Sequence, residues 1–232
     1  GLVLMSLAAG QLCLTKDEKT VGTVLVDIGA GAITIAVFEE GSLEATSTLP
    51  IGGEYITNDI SIGLRTSLDV AEKIKLKFGC AVAADAAADQ VFKVNRIGSN
   101  ADNEFSQVDL AYIIEPRVQE IFQLIRSEVQ RLGYADAPGG YVLTGGSVSM
   151  PGMLEIAQME LENSVRMAVP DFIGVRDPAY TSGVGIIHYA SKYLRRPNSG
   201  NVKKLPSKKA PAGKEQKPGL IERIKNYWSE FI

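Results

Sequence analysis

Two glycine-rich turns in this chain contain residue types suited to ligand binding, the first of them to phosphate. The first turn, Gly29-Ala30-Gly31, follows a run of aliphatic residues that ends in Asp27 and Ile28. Glycines allow backbone N–H groups to approach phosphate oxygens without obstruction by side chains, and an aspartate at a strand end can hold a hydrated Mg²⁺ ion. Simple β-hairpin turns have the same pattern, so this motif by itself leaves both interpretations open.

The second turn, Gly145-Gly146-Ser147, connects an apolar stretch at 141–144 to a predicted helix that contains Pro151 in its first turn. Open α/β sheets bind ligands where strands end in such turns. A tight strand-to-helix connection without a ligand would have the same sequence, so the second turn is also ambiguous when considered alone.

A charged pair is the third candidate. Glu72 and Lys75 are three residues apart and therefore share one face of a predicted helix. They are either a solvated ion pair of little energetic value or two side chains that flank the sugar and base of a nucleotide.

Composition makes several other chemistries improbable. The chain has 232 residues, of which 45% are hydrophobic and 22% charged, so collagen-like, fully disordered and disulfide-stapled classes are excluded. One histidine, His188, argues against histidine-based metal sites and Ser-His-Asp catalysis. Cys13 and Cys80 are far apart and lack a CxxC pattern, which predicts structural thiols in a reducing compartment.

Hydrophobic patterning predicts that strands and helices alternate around these motifs. A continuous β-branched run predicts a buried strand, and apolar residues at helical spacing predict amphipathic helices. The predicted strands cover residues 21–28, 33–39, 43–50, 90–97, 141–144 and 165–169. The predicted helices cover residues 2–14, 53–64, 67–78, 107–132, 151–163 and 179–194, with the charged segment 15–19 ending the first of them.

The end of the chain differs sharply in charge from the rest. Residues 192–232 contain eleven Lys and Arg against three Glu, a charge of +8, and the total of −3 leaves −11 for residues 1–191. Residues 195–218 are rich in Lys, Pro, Ser, Gly and Asn, which predicts a disordered basic linker. An acidic body with a basic tail indicates an anionic partner for the tail alone.

Residues 219–232 follow that linker and have the pattern of an amphipathic helix. Their apolar residues fall on one face of a 3.6-residue period. These residues are Leu220, Ile221, Ile224, Tyr227, Trp228, Phe231 and Ile232. An in-plane membrane helix with aromatic residues at the headgroup level is the favoured interpretation, ahead of a partner-protein groove. Nucleic acid is disfavoured because the body is acidic and the aromatic residues are not interleaved with lysines.

The order of the motifs, more than any one of them, resembles the second half of the actin/Hsp70/sugar-kinase superfamily, and within it the FtsA family of bacterial cell-division proteins. The resemblance extends from about residue 20 to residue 190. The matching stretches are VDIG at 26–29, LPIGG at 49–53, ITNDI at 56–60, AEKIK at 71–75, IEPR at 114–117 and VLTGG at 142–146.

This resemblance implies an α/β fold: an actin-like (ribonuclease H-like) lobe at 1–194, with a mixed sheet flanked by helices and a smaller α/β subdomain inserted at about 53–138. It also implies ATP and Mg²⁺ as cofactors of the full-length molecule. The implied roles are Gly29, Ala30 and Gly31 at the phosphates, Asp27 in the Mg²⁺ shell, Glu72 and Lys75 near the ribose or adenine, and Gly145, Gly146 and Ser147 against the base.

Activity and partners follow from the same resemblance. Relatives often have glycine at position 30 and aspartate at 34, where this chain has Ala30 and Thr34, so at most weak ATPase activity is expected. The part of the family pattern that would precede this chain is missing, so we expect this piece alone to bind nucleotide weakly or not at all.

Arg117 and Glu120 match positions near the groove that receives the C-terminal peptide of FtsZ, where an arginine could pair with a carboxylate. Without the resemblance, Arg117 would simply pair with Glu115 or Glu120 on its own surface. The expected role is a tether of FtsZ filaments at the inner face of the cytoplasmic membrane, with self-association into filaments; an ATPase or kinase of the superfamily is the alternative.

Overall fold

The computed structural model describes residues 2–98 and 102–193. Within this part of the chain, a five-stranded mixed sheet has helices on both of its faces. The strands are β1 (Thr23–Ile28), β2 (Ile33–Glu39), β3 (Ser42–Leu49), β4 (Val91–Asn95), β5 (Asp102–Ser106), β6 (Tyr141–Thr144) and β7 (Val165–Met167). The helices are α1 (Met5–Cys13), α2 (Lys16–Val21), α3 (Gly53–Leu64), α4 (Leu68–Phe78), α5 (Gln107–Arg131), α6 (Met153–Leu161) and α7 (Thr181–Tyr193). The predicted linker at 195–218 and the predicted membrane helix at 219–232 lie outside the described residues.

The sheet topology brings the two glycine turns to one edge. The strand order is β3-β2-β1-β6-β7, and a separate two-stranded sheet is formed by β4 and β5. Strands β1 and β6 are parallel, with Asp27 opposite Thr144, so both strands end at the same side of the sheet. The glycine turns that follow these two strands are therefore neighbours in space, although more than a hundred residues separate them in sequence.

The sheet separates two hydrophobic clusters, one on each of its faces, and β1 contributes side chains to both. Val24, Val26 and Ile28 face α3, α5 and α6, whereas Leu25 faces α1. Helix α1 also packs closely against α7. Gly185 makes this approach possible, since a Cβ at that position would lie 2.8 Å from the carbonyl oxygen of Ala8.

Three predicted elements differ from the structure. The charged segment at 15–19 was expected to end a helix, but α2 forms there because Thr15 and Glu18 make a reciprocal capping box at its N-terminus. The first strand consequently begins at Thr23 rather than at residue 21. Strand β5 was missed, since its sequence is polar and lacks the alternation that marks a half-buried strand.

Among the described residues, no helix combines the length and the apolar character that a membrane crossing requires.

Candidate functional site

A cleft of about 390 Å³ lies where the three predicted segments meet. It is lined by five of the nine predicted site residues: Ala30, Glu72, Lys75, Gly146 and Ser147. Side chains that the sequence analysis did not select complete the walls. They are Ile56, Leu76, Ser149, Met150, Pro151, Asp177 and Ala179, with Gly53 and Gly79. Its volume is within the range of small-molecule sites, which is about 300–1,000 Å³.

The first glycine turn presents free backbone donors. The amide of Gly29 donates to the carbonyl of Ala32 at 3.0 Å and closes the turn. The amides of Ala30 and Gly31 have no acceptor in the described part of the chain, and both residues are exposed. Two adjacent free N–H groups at a strand end are what an oxyanion requires.

Helix α3 begins directly against this turn. The amide of Gly53 donates to the carbonyl of Gly29 at 3.0 Å, and the amide of Glu54 donates to the carbonyl of Ala30 at 2.9 Å. Gly52 is required by this contact, since a Cβ there would lie 2.4 Å from the Ala30 carbonyl oxygen. The first turn of α3 is therefore joined to the glycine turn by two backbone hydrogen bonds.

The second glycine turn is attached to the first by a side chain. The hydroxyl of Ser147 donates to the carbonyl of Gly29 at 3.2 Å. The same hydroxyl packs on Gly53, where an added Cβ would lie 2.4 Å from it. Ser147 thus connects the turns after β1 and β6 across the floor of the cleft.

Lys75 is a buried part of the cleft wall, so its interpretation as half of a solvated ion pair is wrong. Its side chain is only 10% exposed, and its ammonium group lies 2.7 Å from Glu72. The ammonium also donates to the Gly53 carbonyl at 3.0 Å and to the Thr57 hydroxyl at 2.8 Å. Lys75 therefore ties α4 to the first turn of α3.

Glu72 completes this network through a hydrogen bond from the Thr57 hydroxyl. Partial burial of Glu72 by itself would raise the pKa of its carboxyl. The hydrogen bonds from Lys75 and Thr57 outweigh that effect and leave the pKa of Glu72 lowered. The cleft wall therefore carries a carboxylate held in its charged form beside an ammonium group.

Asp27 is not among the residues that line the cleft; it lines a separate small cavity with residues of α1 and β2. Its Oδ2 accepts a hydrogen bond from the Ser182 hydroxyl at 2.6 Å. Its Oδ1 packs against Gly145, where a Cβ would lie 2.5 Å away and where φ is +98°. Gly29, Gly31 and Gly145 belong to the two turns but also lie outside the cleft lining. No group of three metal-ligating side chains occurs within residues 2–98 and 102–193.

Arg117 forms ion pairs with two neighbouring carboxylates. One, Glu120, was expected; the other, Asp59, was not. Its Nε and Nη2 groups donate to the two oxygens of Asp59 at 2.5 and 3.1 Å, and its Nη1 group donates to Glu120. Glu115, the other expected partner, instead accepts from the amide of Ala83 at 2.7 Å. The hydrogen bonds that Arg117 donates to Asp59 are the main cause of a raised pKa for Arg117.

The sequence analysis missed Thr57, Asp59 and Ser182. Thr57 and Asp59 lie in the matched stretch 56–60, which could have drawn attention to them. Ser182 had no local signal, because it is 155 positions from Asp27 and meets it only through the fold.

Comparisons with known proteins give a family and a fold. The family model described as "FtsA: Cell division protein FtsA" matches residues 24–185. A Bacillus subtilis relative named cell division protein FtsA is 50% identical over 194 residues, covering 84% of this chain and 44% of that protein. A Pseudomonas aeruginosa relative of the same name is 38% identical over 232 residues, covering 97% of this chain and 55% of that protein. The chain spans about half the length of the curated relatives it matches.

Solved structures with low sequence identity share the fold. MreB5 of Spiroplasma citri bound to ADP has a TM-score of 0.67 at 15% identity, over 82% of this chain and 59% of that one. The MamK double helical filament has a TM-score of 0.57 at 18% identity, over 81% of this chain and 58% of that one. The predicted α/β, actin-like fold class is confirmed.

Proposed function

The chain belongs to the FtsA family of cell-division proteins, and we propose that it supplies one wall of an ATP site, a surface for the FtsZ C-terminal peptide and a membrane anchor. Together these would tether FtsZ filaments to the inner face of the cytoplasmic membrane. The cleft at the edge of the sheet is the observation that carries the proposal, because three segments distant in sequence converge there.

The residues of the cleft suit a nucleotide. The free amides of Ala30 and Gly31 would donate hydrogen bonds to phosphate oxygens. Glu72 and Lys75 would face the ribose or base, and Gly146 and Ser147 would let the base lie close to the backbone. MreB5 of Spiroplasma citri, solved with ADP and with AMPPNP, has the same fold and supports this assignment.

A Mg²⁺ ion fits this site only as a partner of the nucleotide. Mg²⁺ commonly keeps several waters and binds through one or two carboxylates and substrate phosphates. Asp27, whose carboxylate is oriented by Ser182, would contribute to that shell, and the ion would neutralise phosphate charge. We expect at most weak turnover, since Ala30 and Thr34 stand where relatives often have glycine and aspartate.

Titration of ¹⁵N-labelled protein with Mg·ATP tests the cleft. We expect shifts of the amide signals of Ala30, Gly31, Gly146 and Ser147, with a dissociation constant as weak as about 1 mM, equivalent to about 4 kcal/mol. Mg·AMP is the control, since it lacks the β- and γ-phosphates and should perturb Ala30 and Gly31 less. Shifts confined to other surfaces would refute the assignment of this cleft.

The surface around Arg117 is proposed to receive the FtsZ peptide. Tyr55 and Ile62 on α3 are 40% and 76% exposed, and the guanidinium carbon of Arg117 lies 6.0 Å from the Tyr55 ring centroid. Exposed apolar groups beside an arginine that keeps unused N–H donors suit a peptide that carries both acidic and apolar residues, although Asp59 and Glu120 already balance the charge of Arg117.

The membrane anchor is proposed from the sequence of residues 219–232. Lysines of the preceding linker would each add about 1 kcal/mol of attraction when held near an anionic leaflet. Self-association into filaments is proposed as well, and the filament formed by MamK, which shares the fold, supports it.

Sedimentation with anionic vesicles tests the anchor. The full chain should pellet with vesicles, and a variant without residues 219–232 should remain in the supernatant. A double substitution, Trp228→Glu with Ile224→Glu, keeps the length of the tail and should also abolish pelleting. Equal pelleting of all three proteins would rule out the anchor.

A further inference from the structure

Helix α3 is in contact with both proposed sites. Its first residue, Gly53, is hydrogen-bonded to the glycine turn and to Lys75 in the cleft wall. Thr57, one turn later, bonds to Lys75 and Glu72. Asp59, in the following half turn, holds Arg117 through two hydrogen bonds. The cleft and the Arg117 surface therefore contact different faces of the same helix: Gly53 and Thr57 face the cleft, and Asp59 faces Arg117.

The contacts of Arg117 leave part of its guanidinium open. A guanidinium has five N–H donors. Asp59 receives one from Nε and one from Nη2, and Glu120 receives one from Nη1, which leaves one donor on each terminal nitrogen. Two donors on neighbouring nitrogens match the two oxygens of a carboxylate. The side chain is 25% exposed, so these donors are within reach of a partner.

Resting on the proposed function, we propose that Asp59 is a positioning residue that presents Arg117 to a carboxylate of an acidic peptide, and that α3 couples this surface to occupancy of the cleft. Asp59 accepts from Nε and Nη2, and with Glu120 on Nη1 one donor remains on each terminal nitrogen. Without Asp59, the arginine would have to give up rotamer freedom when the peptide binds.

The direction of the coupling follows from the hydrogen bonds at the start of α3. A nucleotide that bonds to Ala30 and Gly31 would restrain the glycine turn, and through the bonds of Gly53 and Glu54 it would restrain the first turn of α3. When the peptide binds afterwards, less conformational entropy of α3 is lost, and this smaller entropy cost gives positive cooperativity. Linkage requires the reciprocal effect, so the peptide must tighten nucleotide binding by the same factor.

The variant Asp59→Ala separates positioning from simple electrostatics. Removing a negative charge beside an acidic peptide should by electrostatics alone tighten binding, whereas loss of positioning should weaken it. We expect a five- to tenfold weaker dissociation constant for the FtsZ C-terminal peptide, measured by fluorescence anisotropy with the full chain. The control Asp89→Ala removes the same charge from an exposed loop and should leave affinity unchanged.

Coupling is measured by repeating these titrations with saturating Mg·ATP. Peptide affinity should rise about fivefold in the unmodified chain and less than twofold in Asp59→Ala. The Nε–H signal of Arg117, identified by its loss in Arg117→Lys, reports the link directly and should shift when Mg·ATP is added. If Asp59→Ala lowers the midpoint temperature of thermal unfolding, the titrations are repeated with Asp59→Asn, which keeps the shape of the side chain.

Three results would overturn the inference, and they differ from failure of the proposed function. Tighter peptide binding by Asp59→Ala would make Asp59 a competitor. An equal effect of Mg·ATP in both proteins, or an Arg117 Nε–H signal that stays fixed while the cleft amides shift, would remove α3 as the link. Absence of any peptide binding, or of any cleft shift, would refute the proposed function itself and the inference with it.

Discussion

At the scale of single residues, the meaning of a side chain in this protein depends on what surrounds it. Lys75 and Glu72 are spaced like an ordinary surface ion pair, yet Lys75 is buried and joins two helices at the cleft. Arg117 pairs with Glu120 in its own helix, as the sequence alone suggests, but its bidentate partner is Asp59 on α3. In both cases a residue from another element decides the role.

Replacement of Lys75 by Met should weaken Mg·ATP binding about tenfold, equivalent to about 1.4 kcal/mol. The substitution removes the ammonium that bonds Gly53 and Glu72, so the first turn of α3 loses its tie to α4. The amide-shift titration measures the change. Lys73→Met, on the exposed side of the same helix, is the control and should bind as the unmodified chain does.

Acid should destabilise the protein partly through Glu18. Bonds from Arg166 and from Thr15 lower the pKa of Glu18 from 4.5 to about 2 in the folded state. Because the folded pKa is below the unfolded one, the stabilisation is complete above about pH 4.5 and is lost as the pH falls toward 2. After allowance for solvent screening, we expect a loss of about 1–2 kcal/mol.

Urea unfolding of Glu18→Gln at pH 7 and pH 3 checks this. The Gln variant should be less stable at pH 7, and its stability should fall less than that of the unmodified chain between the two values. Asp17→Asn, an exposed neighbour, provides the comparison. Parallel pH profiles for the unmodified chain and Glu18→Gln would contradict the assignment.

At the scale of elements, local signals worked where they are strong. The helices predicted at 67–78 and 107–132 correspond to α4 and α5, because the Ser67 cap of α4 and the apolar stripe of α5 depend on neighbours within each helix. Strand β5 was not recognisable, since its pairing with β4 is what makes it a strand. Packing between elements, such as that of α1 and α7, has no periodicity that a sequence alone can display.

Two glycines in α7 should respond oppositely to alanine. Gly185→Ala should destabilise the fold by about 1–3 kcal/mol, because its Cβ would meet the backbone of Ala8 at 2.8 Å. Gly183→Ala meets nothing within 4 Å and should stabilise α7 by up to about 1 kcal/mol through helix propensity. Thermal unfolding of both variants makes the comparison, and equal changes would show that the α1–α7 contact is looser than described.

At the scale of the whole molecule, charge is distributed unevenly along the chain. Residues 1–191 carry −11 and residues 192–232 carry +8, so a membrane-directed tail would be attracted by an anionic leaflet while the body is repelled. This distribution is hidden in the total charge of −3.

The linker lysines should therefore contribute to vesicle binding in a salt-dependent way. Replacement of all six by Ser should weaken binding to anionic vesicles, measured by sedimentation, and should leave binding to neutral vesicles unchanged. The lysines are Lys203, Lys204, Lys208, Lys209, Lys214 and Lys217. Raising the ionic strength from about 0.15 to 1 M should reduce the difference, since the screening length falls from about 8 to 3 Å. A deficit that persists at high salt would contradict an electrostatic role.

The sequence by itself determined most of the elements, though not α2 or β5, together with the two glycine turns and the family. Helical periodicity, glycine backbone freedom and motif order are properties of the linear sequence. Only the tertiary structure decided that Ala30, Glu72, Lys75, Gly146 and Ser147 share a cleft, and that Asp27 is outside its lining and bonded to Ser182. It also decided that α3 lies between that cleft and Arg117. These relations depend on the parallel pairing of β1 with β6 and on close helix contacts, which join residues far apart in sequence and therefore have no local signature.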